Sequence, residues 1–234
     1  MKAVILAGGK GTRLAPYTEV FPKPMLPVKG KPILEILIKQ LSFYEIDEIV
    51  VSVGYLSDII KAYFNVAKIP QNIKLTYIKE NKPLGTAGPL SLVKDLNQTF
   101  LVMNADILSN LNFKNMVKFH KKSKNILTMA ACEKETKINY GVIQINGNKE
   151  LISMQEKPTL DFLVNMGIYV LEPEVLKFVS KNKKLDFPDL VKRVLQKKKK
   201  VGVYLNNNNW FDVGNHFEFN EANYSFGAES IFRK

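Results

Sequence analysis

Residues 2–7, Lys-Ala-Val-Ile-Leu-Ala, form a short apolar run stopped by two glycines, and that pattern predicts a buried strand. Over 31–44 the apolar positions fall at helical spacing, Leu34, Leu37, Ile38, Leu41 and Tyr44, with Pro32 near the start where a helix accepts proline. Glu48–Val53 then reads as a strand, Leu56–Asn65 as a helix and Ile73–Ile78 as a strand. Ala87–Leu96 has helical spacing with Pro89 in its first turn, and Phe100–Met103 is an apolar strand running into Asn104-Ala105-Asp106. Alternation of strand and helix predicts an α/β fold, a parallel sheet with helices on both faces. The second half changes rhythm. Strands are predicted over Ile126–Cys132, Tyr140–Ile145, Leu151–Gln155 and Val164–Leu171, followed by helices over Glu174–Val179 and Pro188–Lys197. Val201–Leu205 is a last strand and His216–Tyr224 a last helix. No stretch has linker composition and no repeat occurs, so 1–234 reads as one domain. The runs Lys197–Lys200 and Asn206–Asn209 read as exposed turns.

Charge adds a question more than an answer. Thirty-four basic and 22 acidic residues give +12, which raises nucleic acid or a membrane surface as partners. Only three of the basic residues are arginine, Arg13, Arg193 and Arg233, and arginine dominates bidentate recognition of phosphates and base edges. Residues 181–200 alone carry nine basic and two acidic side chains, so the charge reads as solvated lysine faces, with no nucleic-acid module and no nucleic-acid partner expected. No apolar run approaches the ~18 residues of a membrane span, and the first apolar stretch is too short for a signal peptide. The single cysteine, Cys132, excludes an intrachain disulfide. The expectation is a soluble, cytoplasmic protein without a membrane partner.

The chemistry starts directly after the first strand, in Leu6-Ala7-Gly8-Gly9-Lys10-Gly11-Thr12-Arg13-Leu14. Glycines let the backbone approach a bound group closely and turn N–H groups toward phosphate oxygens. A Rossmann fingerprint needs a third glycine where Leu14 stands, and a Walker A loop needs Ser or Thr where Gly11 stands; neither pattern fits. Ten residues on, Phe21-Pro22-Lys23-Pro24-Met25-Leu26-Pro27 holds one lysine among three prolines, whose fixed φ stiffens the segment around Lys23.

Together these two segments resemble the signature of the sugar-1-phosphate nucleotidylyltransferases. The likeness continues through Pro83–Leu90, whose Gly-Thr-Ala-Gly-Pro-Leu is most similar to the mannose-1-phosphate guanylyltransferases, through Met103–Asp106, and through Tyr140-Gly141-Val142, Glu156-Lys157-Pro158 and Asn165-Met166-Gly167. It closes at Trp210-Phe211-Asp212-Val213-Gly214. The resemblance implies a Rossmann-like, mixed but mainly parallel sheet of the nucleotide-diphospho-sugar transferase type. It implies Arg13 and Lys23 as catalytic cations on the triphosphate. Leu6, Ala7, Gly8, Gly9, Gly11 and Thr12 would hold the nucleotide, with Glu80, Gly85 and Thr86 facing the base. Tyr140, Gly141, Glu156, Lys157 and Asn165 would hold the sugar phosphate, and Asp106 and Asp212 would hold Mg²⁺. The implied partners are a nucleoside triphosphate, GTP first, and a sugar 1-phosphate, mannose first, with glucosamine and heptose phosphates or UTP, CTP and dTTP as alternatives. A homo-oligomer is compatible with the sequence.

The mechanism implied is electrostatic. A sugar phosphate is already ionised near neutral pH, so two anions need cations and Mg²⁺ between them more than they need a strong base. Both histidines, His120 and His216, accordingly read as structural, and Cys132 as core. Ala105 stands where the family more commonly has Gly or Ser before the aspartate, and Met166 where it has a small residue, which predicts a narrower or reshaped sugar pocket. The chain ends 22 residues after Asp212, so no left-handed β-helix extension is expected. A non-catalytic subunit that keeps the fold to bind nucleotide sugars is the alternative from another class. Relatives of that kind typically lose the arginine, the lysine or the aspartates, whereas Arg13, Lys23, Asp106 and Asp212 are all present. A glycosyltransferase would want Asp-x-Asp, which Asn104-Ala105-Asp106 does not supply.

Overall fold

The computed structural model describes residues 1–206 and 209–227. Its elements run β1 (Lys2–Ala7), α1 (Tyr17–Val20), β2 (Pro27–Val28), β3 (Lys31–Pro32), α2 (Ile33–Phe43), β4 (Glu48–Val53), α3 (Ser57–Val66) and β5 (Lys74–Lys79). They continue with β6 (Phe100–Asn104), β7 (Ile107–Ser109), α4 (Phe113–Lys122), β8 (Leu127–Lys137), β9 (Gly141–Ile145), β10 (Leu151–Glu156) and β11 (Thr159–Leu171). α5 (Phe187–Gln196), β12 (Val201–Leu205), β13 (Trp210–Asp212) and α6 (His216–Ser225) complete it.

Strand alternation builds a three-layer arrangement. On β1, Ala3, Ile5 and Ala7 join one apolar cluster and Val4 the other; on β4, Ile49, Val51 and Val53 oppose Val50; on β6, Leu101 and Met103 oppose Phe100 and Val102. The first face is covered by α2, α3, α4 and α6, through residues such as Leu34, Ile60, Met116 and Ala222. The second is covered by α5 and two 3-10 turns, Gly88–Leu92 and Pro173–Phe178, through Leu190, Leu90 and Val175. Helices on both faces, as the alternation predicts, sandwich a seven-stranded sheet ordered β12-β8-β11-β6-β1-β4-β5. Every neighbouring pair is parallel except the two made by β11, so the sheet is mixed and mainly parallel. The chain leaves β1 toward β4 on one side and returns to β6 on the other. That reversal opens a crevice at the carboxyl ends of β1 and β6.

Some boundaries differ from the periodicity. The helix predicted over Ala87–Leu96 is only a 3-10 turn, Gly88–Leu92, which ends at Val93 in extended backbone (φ −80°, ψ 127°); the Ala87 and Gly88 amides, which a helix start would leave free, donate across the chain to the Leu185 carbonyl. Glu174–Val179 is likewise a 3-10 turn. β8 and β11 run past their apolar parts as an exposed two-stranded ladder, Thr159 to Leu163 against Lys137 to Glu133. Asn206 is buried, its amide bonded to the Ala131 carbonyl, where an exposed turn is predicted; residues 207–208 of that run, and Arg233, lie outside the described residues. Cys132 is buried as expected. Among the described residues no helix is long and apolar enough to cross a membrane.

His120 is fully buried on α4, with Nδ1 2.8 Å from Thr128 Oγ1 and Nε2 3.1 Å from Glu172 Oε1. Burial pushes its pKa down and outweighs the raising effect of Glu172, so the neutral ring donates from Nε2 to the carboxylate and accepts the Thr128 hydroxyl at Nδ1. The unfolded chain therefore takes up a proton before the folded one does. Stability from this site is intact above the ordinary value of 6.5 and falls as pH drops below it. We expect the urea midpoint to decline between pH 7 and pH 5, and the decline to flatten in His120→Gln; an unchanged slope in the variant would remove His120 as its source.

Candidate active site

Five chain segments meet at the β1/β6 crevice around a cavity of about 270 Å³. Leu6, Ala7, Gly8 and Gly9 form its floor, Lys23 and Pro24 one side, Glu80 and Pro83–Thr86 another, and Asn104, Ala105 and Asp106 the end of β6. The glycine loop turns through Gly11, whose φ of +67° suits glycine, and its carbonyl accepts from Thr18 Oγ1 at 2.8 Å. Gly8 lies so close to the Glu80 carboxylate that a Cβ there would collide with it. Glu80 is held by Ser52 Oγ (2.8 Å) and the Leu84 amide (3.1 Å). Gly85 and Thr86 are tied to the start of α5: Asp186 Oδ1 accepts from the Thr86 amide at 3.0 Å, and Thr86 Oγ1 accepts from the Phe187 amide at 2.9 Å. Thr86 thus lines the cavity with its hydroxyl already engaged.

The acidic half is assembled by a strand pairing. β13 pairs antiparallel with β7, placing Asp212 opposite Ile107, and the Val213 amide donates to the Asp106 carbonyl at 2.9 Å. The two aspartates therefore share one site. Lys23, 8% exposed, forms an ion pair with Asp106 Oδ2, while Asp106 Oδ1 is buried with no hydrogen-bond partner. Burial raises the Asp212 pKa, Asp106 and Glu218 raise it further, and Lys23 and Arg13 pull it down. Arg13 reaches the same place: a methyl group on Gly214 would lie 3.4 Å from both Arg13 Nη2 and Asp212 Oδ1. Gly11, Thr12, Arg13 and Asp212 stand outside the cavity's lining, Arg13 and Asp212 together on this acidic side. Two carboxylates, one with a buried oxygen lacking a partner, suit a hard divalent cation that completes its shell with phosphate oxygens and water. Among the described residues no group of three or more His, Cys, Asp or Glu offers an all-protein cage.

The residues expected at the sugar phosphate lie elsewhere. Tyr140 and Gly141 stand at the base of the β9–β10 hairpin; Tyr140 is 78% exposed, and Glu156 and Lys157 form an exposed ion pair at 3.8 Å. None of them lines the cavity. Asn165 is closer. β11 shifts register against β8 between Asn165 and Tyr169, and the Asn165 side chain holds that irregularity by accepting from the Gly167 amide (3.0 Å) and donating to the Tyr169 hydroxyl (2.6 Å). Gly167, at φ +69°, packs against Asn104, and Trp210 Nε1 donates to the Met166 carbonyl at 3.2 Å. Met166 is fully buried here, so it fills the core beneath the strand rather than narrowing an open pocket. His216 Nε2 lies 2.8 Å from the Ala15 carbonyl and docks α6 on the glycine-loop segment, a structural role as expected.

Sequence reasoning missed Ser52, Asp186 and Glu218. Ser52 had a signal, a lone hydroxyl inside the apolar strand Glu48–Val53. Asp186 had a weaker one, an acidic residue just before a helix start with Pro188. Glu218, whose Oε2 accepts from the Gly214 amide at 3.1 Å, had none beyond Asn215 as a helix cap three residues earlier.

A glycine loop at the switch point of a mainly parallel sheet, with carboxylates and cations at the strand ends, defines an α/β domain with the fold of the nucleotide-diphospho-sugar transferases. The nucleotidyl transferase family model matches residues 2–229, and the chain belongs to that family. It is 34% identical over 215 residues to the UTP–glucose-1-phosphate uridylyltransferase of Synechocystis sp., covering 82% of this chain and 55% of that protein. To mannose-1-phosphate guanylyltransferase 1 of Arabidopsis thaliana it is 34% identical over 184 residues, covering 75% and 51%. The chain thus spans about half the length of these relatives. HddC from Yersinia pseudotuberculosis superposes with a TM-score of 0.73 at 26% identity, over 97% of this chain and 99% of that one; the same protein complexed with GMP-PN matches at 0.73 and 25%.

The Gly167 geometry is testable by unfolding. A Cβ there would sit 2.7 Å from Asn104 Nδ2, at a φ that side chains disfavour, so Gly167→Ala should cost about 1–3 kcal/mol in urea denaturation. Gly9→Ala, whose Cβ would meet nothing within 4 Å, should stay within about 0.5 kcal/mol of the wild type.

Proposed function

We propose that this chain transfers a nucleoside monophosphate from a nucleoside triphosphate to a sugar 1-phosphate. A phosphate oxygen of the sugar phosphate attacks the α-phosphorus, a new P–O bond forms, the bond to the β-phosphate breaks, and pyrophosphate leaves. The observation that carries this reading is the meeting of Asp106, Asp212, Lys23 and Arg13 at one edge of the glycine-loop cavity. Family membership and the relatives' names support it.

The cavity between Gly8–Gly9 and Glu80–Thr86 receives the nucleoside, and the loop amides and Thr12 the phosphates. Asp106 and Asp212 would hold Mg²⁺, which when bound neutralises phosphate charge and orients the oxygens around the α-phosphorus. Lys23, stiffened by Pro22 and Pro24 and almost buried, holds a fixed positive charge beside that centre. Arg13 is more exposed and offers a bidentate fork to the triphosphate. Lys157 anchors the sugar phosphate group, and Glu156, Asn165 and the Tyr140–Gly141 backbone contact its hydroxyls. No side chain has to act as a strong base, and catalysis rests on positioning and electrostatics.

GTP is the donor we favour, with mannose 1-phosphate as acceptor and glucosamine or heptose 1-phosphate next. The Gly85–Leu90 segment, the guanylyltransferase relative and the GMP-PN complex of HddC support GTP. UTP is the second reading, favoured by the Synechocystis uridylyltransferase at the same 34% identity.

Pyrophosphate release with Mg²⁺ across a grid of nucleoside triphosphates and sugar 1-phosphates tests the reading, and we expect a strong GTP row. Turnover confined to UTP would move the base assignment and keep the chemistry, whereas a grid silent in every cell would overturn the reading. Asp106→Ala and Arg13→Ala should each lose about 10²–10³-fold in kcat/KM, with Arg13→Lys recovering little. Mg²⁺ with a nonhydrolysable triphosphate should raise the melting temperature of the wild type and raise it less in Asp106→Ala. Equal shifts in the two proteins would take Asp106 out of the metal site.

A further inference from the structure

Ser52 breaks the pattern of β4. Its neighbours Ile49, Val50, Val51 and Val53 are aliphatic, and the parallel registers set Leu6 of β1 and Ile78 of β5 beside it. Ser52 is fully buried. A hydroxyl in such surroundings costs free energy unless it is hydrogen-bonded, and a valine would suit the strand better. Among the described residues its side chain makes one bond, to Glu80 Oε1 at 2.8 Å.

Glu80 follows β5 directly and lines the glycine-loop cavity. Three contacts orient its carboxylate. Ser52 donates to Oε1, the Leu84 amide donates to Oε2 at 3.1 Å, and Gly8 packs against Oε1 where a Cβ would collide. An ionised carboxylate only accepts hydrogen bonds, at about four positions. Each oxygen here has committed one to the protein, so the two keep accepting capacity side by side. Such a pair is complementary to two adjacent donors. Guanine offers them in N1–H and the exocyclic amino group. Uracil and thymine offer one N–H between two carbonyl oxygens. Adenine and cytosine offer an amino group beside a ring-nitrogen acceptor. Each of those four bases therefore sets an acceptor against a carboxylate oxygen.

We infer that Ser52 is a positioning residue for base selection: by holding Oε1 it keeps the Glu80 carboxylate turned so that both oxygens meet the two donors of a guanine. This rests on the functional reading above, which puts the nucleoside in this cavity, and it gives the preference for GTP a physical source. Without the hydroxyl the carboxylate keeps only the Leu84 bond and turns about its terminal torsion, whose energy wells are broad. The second donor then loses its partner.

Calorimetric binding of GTP and of inosine triphosphate, which lacks only the exocyclic amino group, tests this on the full chain. The wild type should bind GTP about 10–100-fold more tightly, as expected for one hydrogen bond to a charged group. Ser52→Ala should lose about tenfold of that preference, and in turnover its KM for GTP should rise about tenfold while kcat moves less than about twofold. Ser52→Thr keeps the hydroxyl and should keep most of the preference. Ser52→Cys, whose thiol is a weaker donor, should fall between and supplies the test if the alanine variant does not fold. With Glu80→Gln already in place, Ser52→Ala should change GTP binding by less than about twofold, because the carboxylate it acts through is gone. A folded Ser52→Ala with its preference intact overturns the inference. So does an equal effect in both backgrounds, or a wild type that does not distinguish the two nucleotides. Pyrophosphate release on the same preparations separates the two readings. A preference lost in Ser52→Ala without turnover in the wild type upholds Ser52 and sinks the transferase, and turnover with an unchanged preference does the reverse.

Discussion

Asp106 and Asp212 stand at the end of β6 and on β13, and the pairing of β13 with β7 presses them into one partly buried site. Carboxylates that close repel, and burial weakens the water screening that would relieve them. Much of the surrounding architecture supplies the opposing charge. Pro22 and Pro24 hold Lys23 against Asp106, and Arg13 is carried by the turn after the glycine loop. What remains unsatisfied, a buried Asp106 oxygen without a hydrogen bond, is the kind of defect a structure retains when a ligand relieves it.

The sheet makes this concentration of charge tolerable. Its strand order reverses at β1, so the carboxyl ends of β1 and β6 diverge and leave a crevice that no helix fills. The polar framework around the crevice is in large part committed to itself: Ser52 holds Glu80, Asp186 holds the Thr86 amide, and Asn165 holds the Gly167 irregularity. Such a framework stays put while ligands come and go, which suits chemistry that depends on position and field.

The β9–β10 hairpin obeys different physics from the rest of the chain, which is lysine-rich and buries two apolar clusters; the hairpin is almost neutral and leaves Ile143, Ile145, Leu151 and Met154 more than half exposed. Tyr140, Gly141, Glu156 and Lys157 sit at the base of the hairpin, away from the glycine-loop cavity. The glycine-loop cavity rests on strands at the centre of the sheet.

The local pattern of residues determined much of this protein. Period-two alternation in β1, β4 and β6 and period-3.6 spacing in α2 reflect one-sided burial within single elements, so layers and helix faces were readable. Gly8–Gly9 and Pro22–Pro24 were readable because their backbone constraints act over a few residues. Tertiary structure decided what depends on partners distant in the chain. The β13–β7 pairing brings Asp212 to Asp106 across about a hundred residues, and the Ala87 and Gly88 amides find their acceptor in the Leu185 carbonyl, about a hundred residues on. The length of the β8–β11 ladder and the engagement of Thr86 with α5 belong to the same class. Local propensity cannot report such things, because a cross-chain hydrogen bond or a shared electrostatic field exists only once both segments have been brought to one place.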